Sequence, residues 1–237
     1  MKSRFKFILG YGVLIFLGIY DGSIFIKKPS FFNIFPFIFI FLMFYILLWV
    51  ETYNMLVNEL KVEKYISRLK RIFKFLLTKE SKNIILINLF TAYLLLNSEK
   101  DFLSYIDIIE ITKKTPKKVK YVYYYNLAAY KLSINEKGEA RKIFDENIKK
   151  EESLLGILLN YENNPEQKIV KLEKLLLKQK VELSKIEVKF CLGEVYEQIG
   201  NLKKARRFYN EIAEKKSDIY FVKVAKEKVL ELSSENI

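Results

Sequence analysis

The side chains that usually carry acid–base and metal chemistry are nearly missing from this chain. It contains no histidine and a single cysteine, Cys191. Without histidine, the commonest general base and the commonest zinc ligand are gone. One cysteine can form neither an internal disulfide nor a paired metal knuckle. Cys191 stands beside Leu192 on an apolar helical face, so a buried structural thiol is expected rather than a nucleophile. The carboxylates do not fill the gap. They alternate with lysines, as in Glu136-Lys137 and Glu214-Lys215, the pattern of a solvated helix surface. No glycine-rich phosphate loop, HExxH or GxSxG occurs. No catalytic residue, metal site or cofactor is therefore expected, and the chain does not read as an enzyme.

What remains is the pattern of apolar residues that would position any binding surface. Apolar residues make up 51% of the 237 positions, but they are unevenly spread. Residues 7–50 hold long unbroken apolar runs; after residue 51 the apolar positions become periodic and charges appear throughout. The formal net charge is +13. Basic proteins can be drawn to nucleic acid or to anionic lipid. Here the lysines are scattered along helix faces among glutamates, without a basic stripe interleaved with exposed aromatics, so no nucleic-acid site is expected.

Two runs are long enough to cross a bilayer, about 7–26 and 31–50, since ~20 helical residues span the ~30 Å hydrocarbon core. Pro36 suits the first turn of the second helix, and Trp49 and Tyr53 suit the interface. Residues 21–30 contain a turn, which predicts a two-helix transmembrane hairpin. A cleaved signal peptide is the alternative for the first run, but no small-x-small cleavage site follows it. Lys2, Arg4 and Lys6 precede the hairpin, and Lys61, Lys64, Arg68, Lys70 and Arg71 follow it. Only Lys27 and Lys28 lie in its loop. That asymmetry predicts a multi-pass cell-membrane protein with both termini cytoplasmic.

From Glu51 to Leu77 the apolar residues recur in steps of three and four, with no glycine or proline between Val50 and Lys79. The spacing predicts a juxtamembrane helix over 51–80, continuous with the second span as a stalk. Its other face carries Lys61, Lys64, Lys70, Arg71 and Lys74. That face is either an ordinary solvated surface or one resting on anionic headgroups.

Beyond residue 80 the helices come in pairs. Leu192-Gly193-Glu194-Val195-Tyr196, then Gly200-Asn201-Leu202-Lys203-Lys204-Ala205, then Phe208-Tyr209, reads as a helix, a glycine stop and a returning helix. Leu127-Ala128 and Tyr130, followed by Asn135-Glu136-Lys137-Gly138-Glu139-Ala140 and Phe144, repeat that pattern. Leu155-Gly156 with Asn163-Asn164-Pro165 is a degenerate copy. The stretch from Leu89 to Thr115-Pro116 keeps the spacing with larger residues at the small positions. Ser184 with Glu187 reads as a capping box, Asn164-Pro165 and Thr115-Pro116 as caps followed by proline, and Ser98 with Asp101 as a further cap. The result is four hairpins near 82–114, 116–150, 152–180 and 184–216, and a last helix over 218–234.

This spacing resembles the tetratricopeptide repeat (TPR), in which two short helices cross through a small residue on each. Gly193 and Ala205 would be that pair, with Tyr196 and Tyr209 beside them. The resemblance implies an all-α fold: the transmembrane hairpin, then a short TPR-like α-solenoid over 81–237 closed by a capping helix. It also implies a concave groove lined by the first helix of each pair: Ile87, Thr91 and Leu94; Tyr125 and Ala129; Ile157 and Asn160; Phe190, Glu194 and Glu197. The Lys, Asn and Arg cluster with which some members grip a C-terminal carboxylate is missing. The lining turns from apolar to acidic along the array, which suits an apolar or basic segment. The expected function is a membrane-anchored scaffold that recruits a protein or peptide partner to the cytoplasmic face, with the lipid bilayer as its other contact. The alternative is a structural subunit of a larger membrane complex, with the hairpin in the interface. Tyr121, Tyr123, Tyr124 and Tyr125 spread around one helix and cannot form a single stacking platform, so some are expected in the core and some exposed.

Overall fold

A computed structural model describes residues 31–76 and 78–234. Among the described residues there are eleven helices and no strand. The chain divides into two compact units, with the boundary between Glu51 and Thr52.

Helix α1, Phe31–Val57, belongs mostly to the first unit. Its segment Ile38–Val57 is the one helix among the described residues long and apolar enough to cross a membrane. Its mean hydropathy is 1.7 and only 18% of it is buried, whereas the core helix of a soluble domain would be mostly covered. Phe39, Phe44 and Val50 are exposed. Pro36 lies past the first turn of α1 as described, not within it. The earlier apolar run, 7–26, lies outside the described residues.

The stalk expected over 51–80 is not continuous. Helix α1 ends at Val57, and α2 runs over Val62–Phe75. No glycine or proline marks the break; polar side chains and one strained leucine make it. Asn54 Nδ2 donates to Glu59 Oε1 (2.8 Å), and the Lys61 N–H reaches back to the Met55 carbonyl (2.8 Å). Leu60 adopts φ 55°, a left-handed value that a branched apolar residue rarely takes, and its buried side chain helps to offset that strain. The apolar stripe read along 51–77 is real, but two helices share it. Val62, Tyr65, Ile66 and Leu69 are buried as α2 packs on the next helix.

The rest of the second unit is four helix pairs and a closing helix. The pairs are α3 (Lys79–Leu95) with α4 (Glu99–Ile106), α5 (Lys117–Ser133) with α6 (Lys137–Asn147), α7 (Leu154–Asn160) with α8 (Pro165–Lys178), and α9 (Glu182–Gln198) with α10 (Leu202–Ala213). Helix α11, Tyr220–Ser234, packs on α9 and α10. First helices of neighbouring pairs also touch, α3 with α5 and α5 with α7.

Three of the four pairs use the same turn. Asn97, Asn135 and Gly200 have φ of 54°, 63° and 76°. In each turn the left-handed residue donates to a carbonyl three residues back, and the next residue donates to one five back. That arrangement satisfies the free carbonyls at a helix C-terminus. The α7–α8 connection is different. Asn164 caps α8 by accepting from the Gln167 N–H (3.0 Å), with Pro165 at the first helical position.

The expected small-residue crossing has a different content. Ala205 is fully buried, but the space at Gly193 is taken by the ring of Tyr209: a Cβ at 193 would stand 2.7 Å from Cε1 of that ring. Ala128 and Ala140 occupy the matching positions of the second pair and are buried with Phe144, Ile148, Leu155 and Leu159.

Two caps also differ. Helix α9 begins at Glu182, with Val181 in the cap position, so Ser184 and Glu187 lie inside the helix and form no capping box. The Thr115 hydroxyl accepts from the Thr112 N–H (3.0 Å) instead of capping α5, whose cap position is Pro116. Ser98 does occupy the cap position of α4, but its hydroxyl donates to the Asp101 carboxylate and caps no backbone N–H.

The second unit also returns on itself. The Ser217 hydroxyl, between α10 and α11, donates to the Leu60 carbonyl (2.8 Å) in the α1–α2 turn.

Candidate functional site

The first helices of the second, third and fourth pairs enclose a cleft of about 330 Å³. Helix α5 contributes Tyr121, Val122, Tyr125 and Asn126, and α9 contributes Ser184, Glu187 and Val188. The loop before α7 adds Lys150, Glu152 and Ser153, α7 adds Leu154, and Leu175 and Gln179 line it from α8 and its end.

Local sequence explains how these walls are held. Ser153 caps α7 by accepting from the Gly156 N–H (3.1 Å), which fixes the approach of the 150–153 loop. That loop passes directly over Gly156: a Cβ there would lie 2.6 Å from the Glu151 carbonyl oxygen. On α5, Asn126 donates to Thr91 Oγ1 (2.6 Å), tying this wall to α3, and Tyr121 stacks on Tyr125 at 5.9 Å.

The acidic groups set the electrostatics. Glu187, on the α9 wall, forms no ion pair or hydrogen bond with any described residue. Burial pushes its carboxyl up to about 7. The Tyr125 phenol is raised by burial and by the Glu187 charge. Two turns further along α9, Glu194 is accessible to water, yet neighbouring protein partly desolvates its carboxyl. That desolvation, with Glu197 beside it, raises it to about 7, against the opposing charges of Lys168 and Lys228. Cys191 lies between these two glutamates along α9, and burial lifts its thiol well above the ordinary value, as for an unreactive core cysteine. Among the described residues no three carboxylate or thiol groups converge as metal ligands.

The residues expected to line a groove are dispersed. Tyr125 lies in the cleft. Ile87, Ile157 and Phe190 are buried against neighbouring helices. Phe190 packs against the rings of Tyr209 (5.8 Å) and Phe221 (5.2 Å). Thr91 is half-buried and engaged by Asn126, and Leu94 and Ala129 are half-buried. Asn160 is exposed and accepts from Arg141 Nη1 (2.7 Å). Glu194 is open to water, while Glu197 accepts from the Tyr209 hydroxyl (2.9 Å) and from Lys228 Nζ (2.9 Å). The open wall is therefore rotated relative to the expected one, through Val122, Asn126 and Glu187. Reading Glu187 as half of a capping box hides it as a site residue.

None of the four tyrosines from 121 to 125 is fully exposed: Tyr123 is buried against Phe90 (6.1 Å), the others are half-buried, and Val122 is the exposed residue of that run.

No family model, curated protein or solved structure matches the chain.

Proposed function

We propose that this chain is a membrane-anchored, TPR-like scaffold that holds a protein partner at the cytoplasmic face, with the α5–α7–α9 cleft as the seat. The observation that carries this reading is the cleft wall itself. An unpaired carboxylate, Glu187, sits between two tyrosines and a valine in a concavity large enough for side chains of a partner segment. A segment presenting a lysine or arginine between apolar residues fits that lining, because the cation would restore the ionised carboxylate that desolvation disfavours. Helix α1 would be the anchor. The run over 7–26 would be the first helix of a hairpin with it, and the lysine and arginine asymmetry would place both termini in the cytoplasm.

Photo-cross-linking in cells tests this. A photo-reactive side chain at Val122 should capture one discrete protein species, and the same group at Lys203, on the exposed face of α10, should not. Glu187→Lys should abolish the capture at Val122. Equal capture from both positions, or capture that survives Glu187→Lys, rules out the cleft as the seat.

A further inference from the structure

Helix α2 turns a basic stripe to solvent. Lys64, Ser67, Arg71, Lys74 and Phe75 are exposed on one side of the helix, around the half-buried Arg68 and opposite the buried Val62, Tyr65, Ile66 and Leu69. Lys64, Arg71 and Lys74 form no ion pair with any described residue. Elsewhere on α2 and in its preceding turn the cations are engaged: Lys61 pairs with Glu59 (2.7 Å), and Lys70 sits over the Tyr93 ring (5.4 Å). Glu63, at the edge of the stripe, is the one acid of α2. At the end of the stripe Phe75 is 82% exposed, an unusual position for a phenylalanine.

The connectivity says what covers this face. The chain enters the second unit at Thr52, within the last two turns of the apolar helix. Thr52 is fully buried, and its hydroxyl accepts from Arg68 Nη1 (3.4 Å). The stripe from Arg68 to Phe75 thus begins at the entry point and extends about 10 Å from it, at ~1.5 Å per residue. That distance is about one Debye length at physiological ionic strength. A chain that leaves a bilayer at Glu51 holds these cations within electrostatic reach of the headgroups, whatever the orientation of the unit.

We infer that the outer face of α2 is a docking surface for an anionic bilayer, with Lys64, Arg71 and Lys74 at the headgroups and the Phe75 ring in the interfacial layer. This rests on α1 crossing the membrane. The surface would fix the second unit against the membrane and so give the cleft a defined direction.

The test uses the full chain reconstituted into vesicles of phosphatidylcholine alone, or mixed with phosphatidylserine. Trp49 is the sole tryptophan. Trp49→Phe combined with Phe75→Trp therefore gives one reporter indole, read by its emission and by quenching from lipids brominated near the headgroup. Phosphatidylserine should shift the emission to the blue and increase quenching, and high salt should reverse both. The triple change of Lys64, Arg71 and Lys74 to glutamine should remove the response. These side chains are exposed, so the helical signal by circular dichroism should be unchanged. A response indifferent to phosphatidylserine, or one that survives the triple change, overturns the inference. An indole that responds to added RNA and not to phosphatidylserine overturns it in favour of a nucleic-acid surface. Vesicle flotation separates the premise: a chain that fails to float without phosphatidylserine sinks the anchor reading, and the inference with it.

Discussion

The first and last helix pairs solve one packing problem with different side chains. In both, a tyrosine on the first helix stacks on an aromatic of the second: Tyr93 on Tyr105 (5.6 Å, 16° between planes) and Tyr196 on Phe208 (5.8 Å, 10°). In both, a lysine lies over that tyrosine, Lys70 and Lys204. The turns match as well, through Asn97 and Gly200. The same offset along the chain that carries Tyr93 to Tyr196 carries Phe90 to Gly193 and Phe102 to Ala205. There the pairs part. Where the last pair has small residues and lets the Tyr209 ring fill the crossing, the first pair sets two phenylalanines edge to face at 6.0 Å. The turn and the stacked pair thus define the hairpin, whereas the residues at the crossing only set what fills the space between helices. Total filled volume, not the presence of a small residue, is what close packing requires.

The largest effect that would break this comparison is at Phe102. Its side chain is 1% exposed and packs on Phe90 and, at 4.7 Å, on Tyr130. Phe102→Ala should cost ~3–5 kcal/mol. In a fragment of residues 52–237 the thermal midpoint should fall by about 10 °C, at roughly 2–4 °C per kcal/mol. A near-neutral result would mean that the first pair is not held by its phenylalanines.

Next in size is a pH effect confined to the last pair. The positions that carry Glu187 and Glu194 on α9 correspond to Ile84 and Thr91 on α3, which cannot titrate. Glu187 is raised to about 7 in the folded chain, above its ordinary value of 4.5, so the folded state holds more protons than the unfolded state between those two values. Stability should therefore be highest near pH 5 and fall as pH rises through 7. The loss is on the order of 2 kcal/mol after discounting for a side chain that keeps some contact with water. The acids held below their ordinary values by lysines, Glu182 beside Lys215 and Glu162 beside Lys137, act only below that window, where they lower stability as pH falls. Denaturant titrations at several pH values should show the decline between pH 5 and 7. Glu187→Gln should flatten a large part of it, leaving the share of Glu194, and stabilise the fragment at pH 8. A decline untouched by Glu187→Gln would place the desolvated acid elsewhere.

Overpacking at the last crossing ranks third. Ala205 has no exposed surface and Lys203 is exposed. Ala205→Leu should cost ~1–3 kcal/mol, and Lys203→Leu should be nearly neutral. The reverse order would mean that the two helices do not meet at Ala205.

How far the sequence could be read follows the same division. The limits of the last three pairs and of α11 are legible to within a few residues, because apolar period and turn residues act locally; the first pair ends at Ile106, eight residues before the expected limit. The α1–α2 break is not, since Asn54, Asn58 and Glu59 make it with side-chain bonds inside an unbroken apolar stripe. Nor is the contact between Ser217 and Leu60, which joins distant parts of the chain. In the cleft, Tyr125 is legible and Glu187 is not: its spacing from Ser184 imitates a cap, and only the start of α9 at Glu182 removes that reading.

The smallest effect tests whether the shared turn is one device or three coincidences. Asn97, Asn135 and Gly200 all hold a left-handed backbone, but only glycine does so without strain on a Cβ. If the turn is the common element, substitution should act in opposite directions at its two ends. Asn97→Gly should be neutral or stabilise slightly, because the relieved strain offsets the extra flexibility of the unfolded chain. Gly200→Ala should destabilise by about 1 kcal/mol, although a Cβ there meets nothing within 4 Å, so the cost is purely conformational. Open space around Gly200 makes this a clean measurement, since no packing change can mimic the result. Urea midpoints of the two variants in the 52–237 fragment should therefore move apart, with slopes unchanged from the parent. Midpoints that move together would show that Asn97 is kept for its side chain, and the likeness of the first and last pairs would then stop at their stacked aromatics.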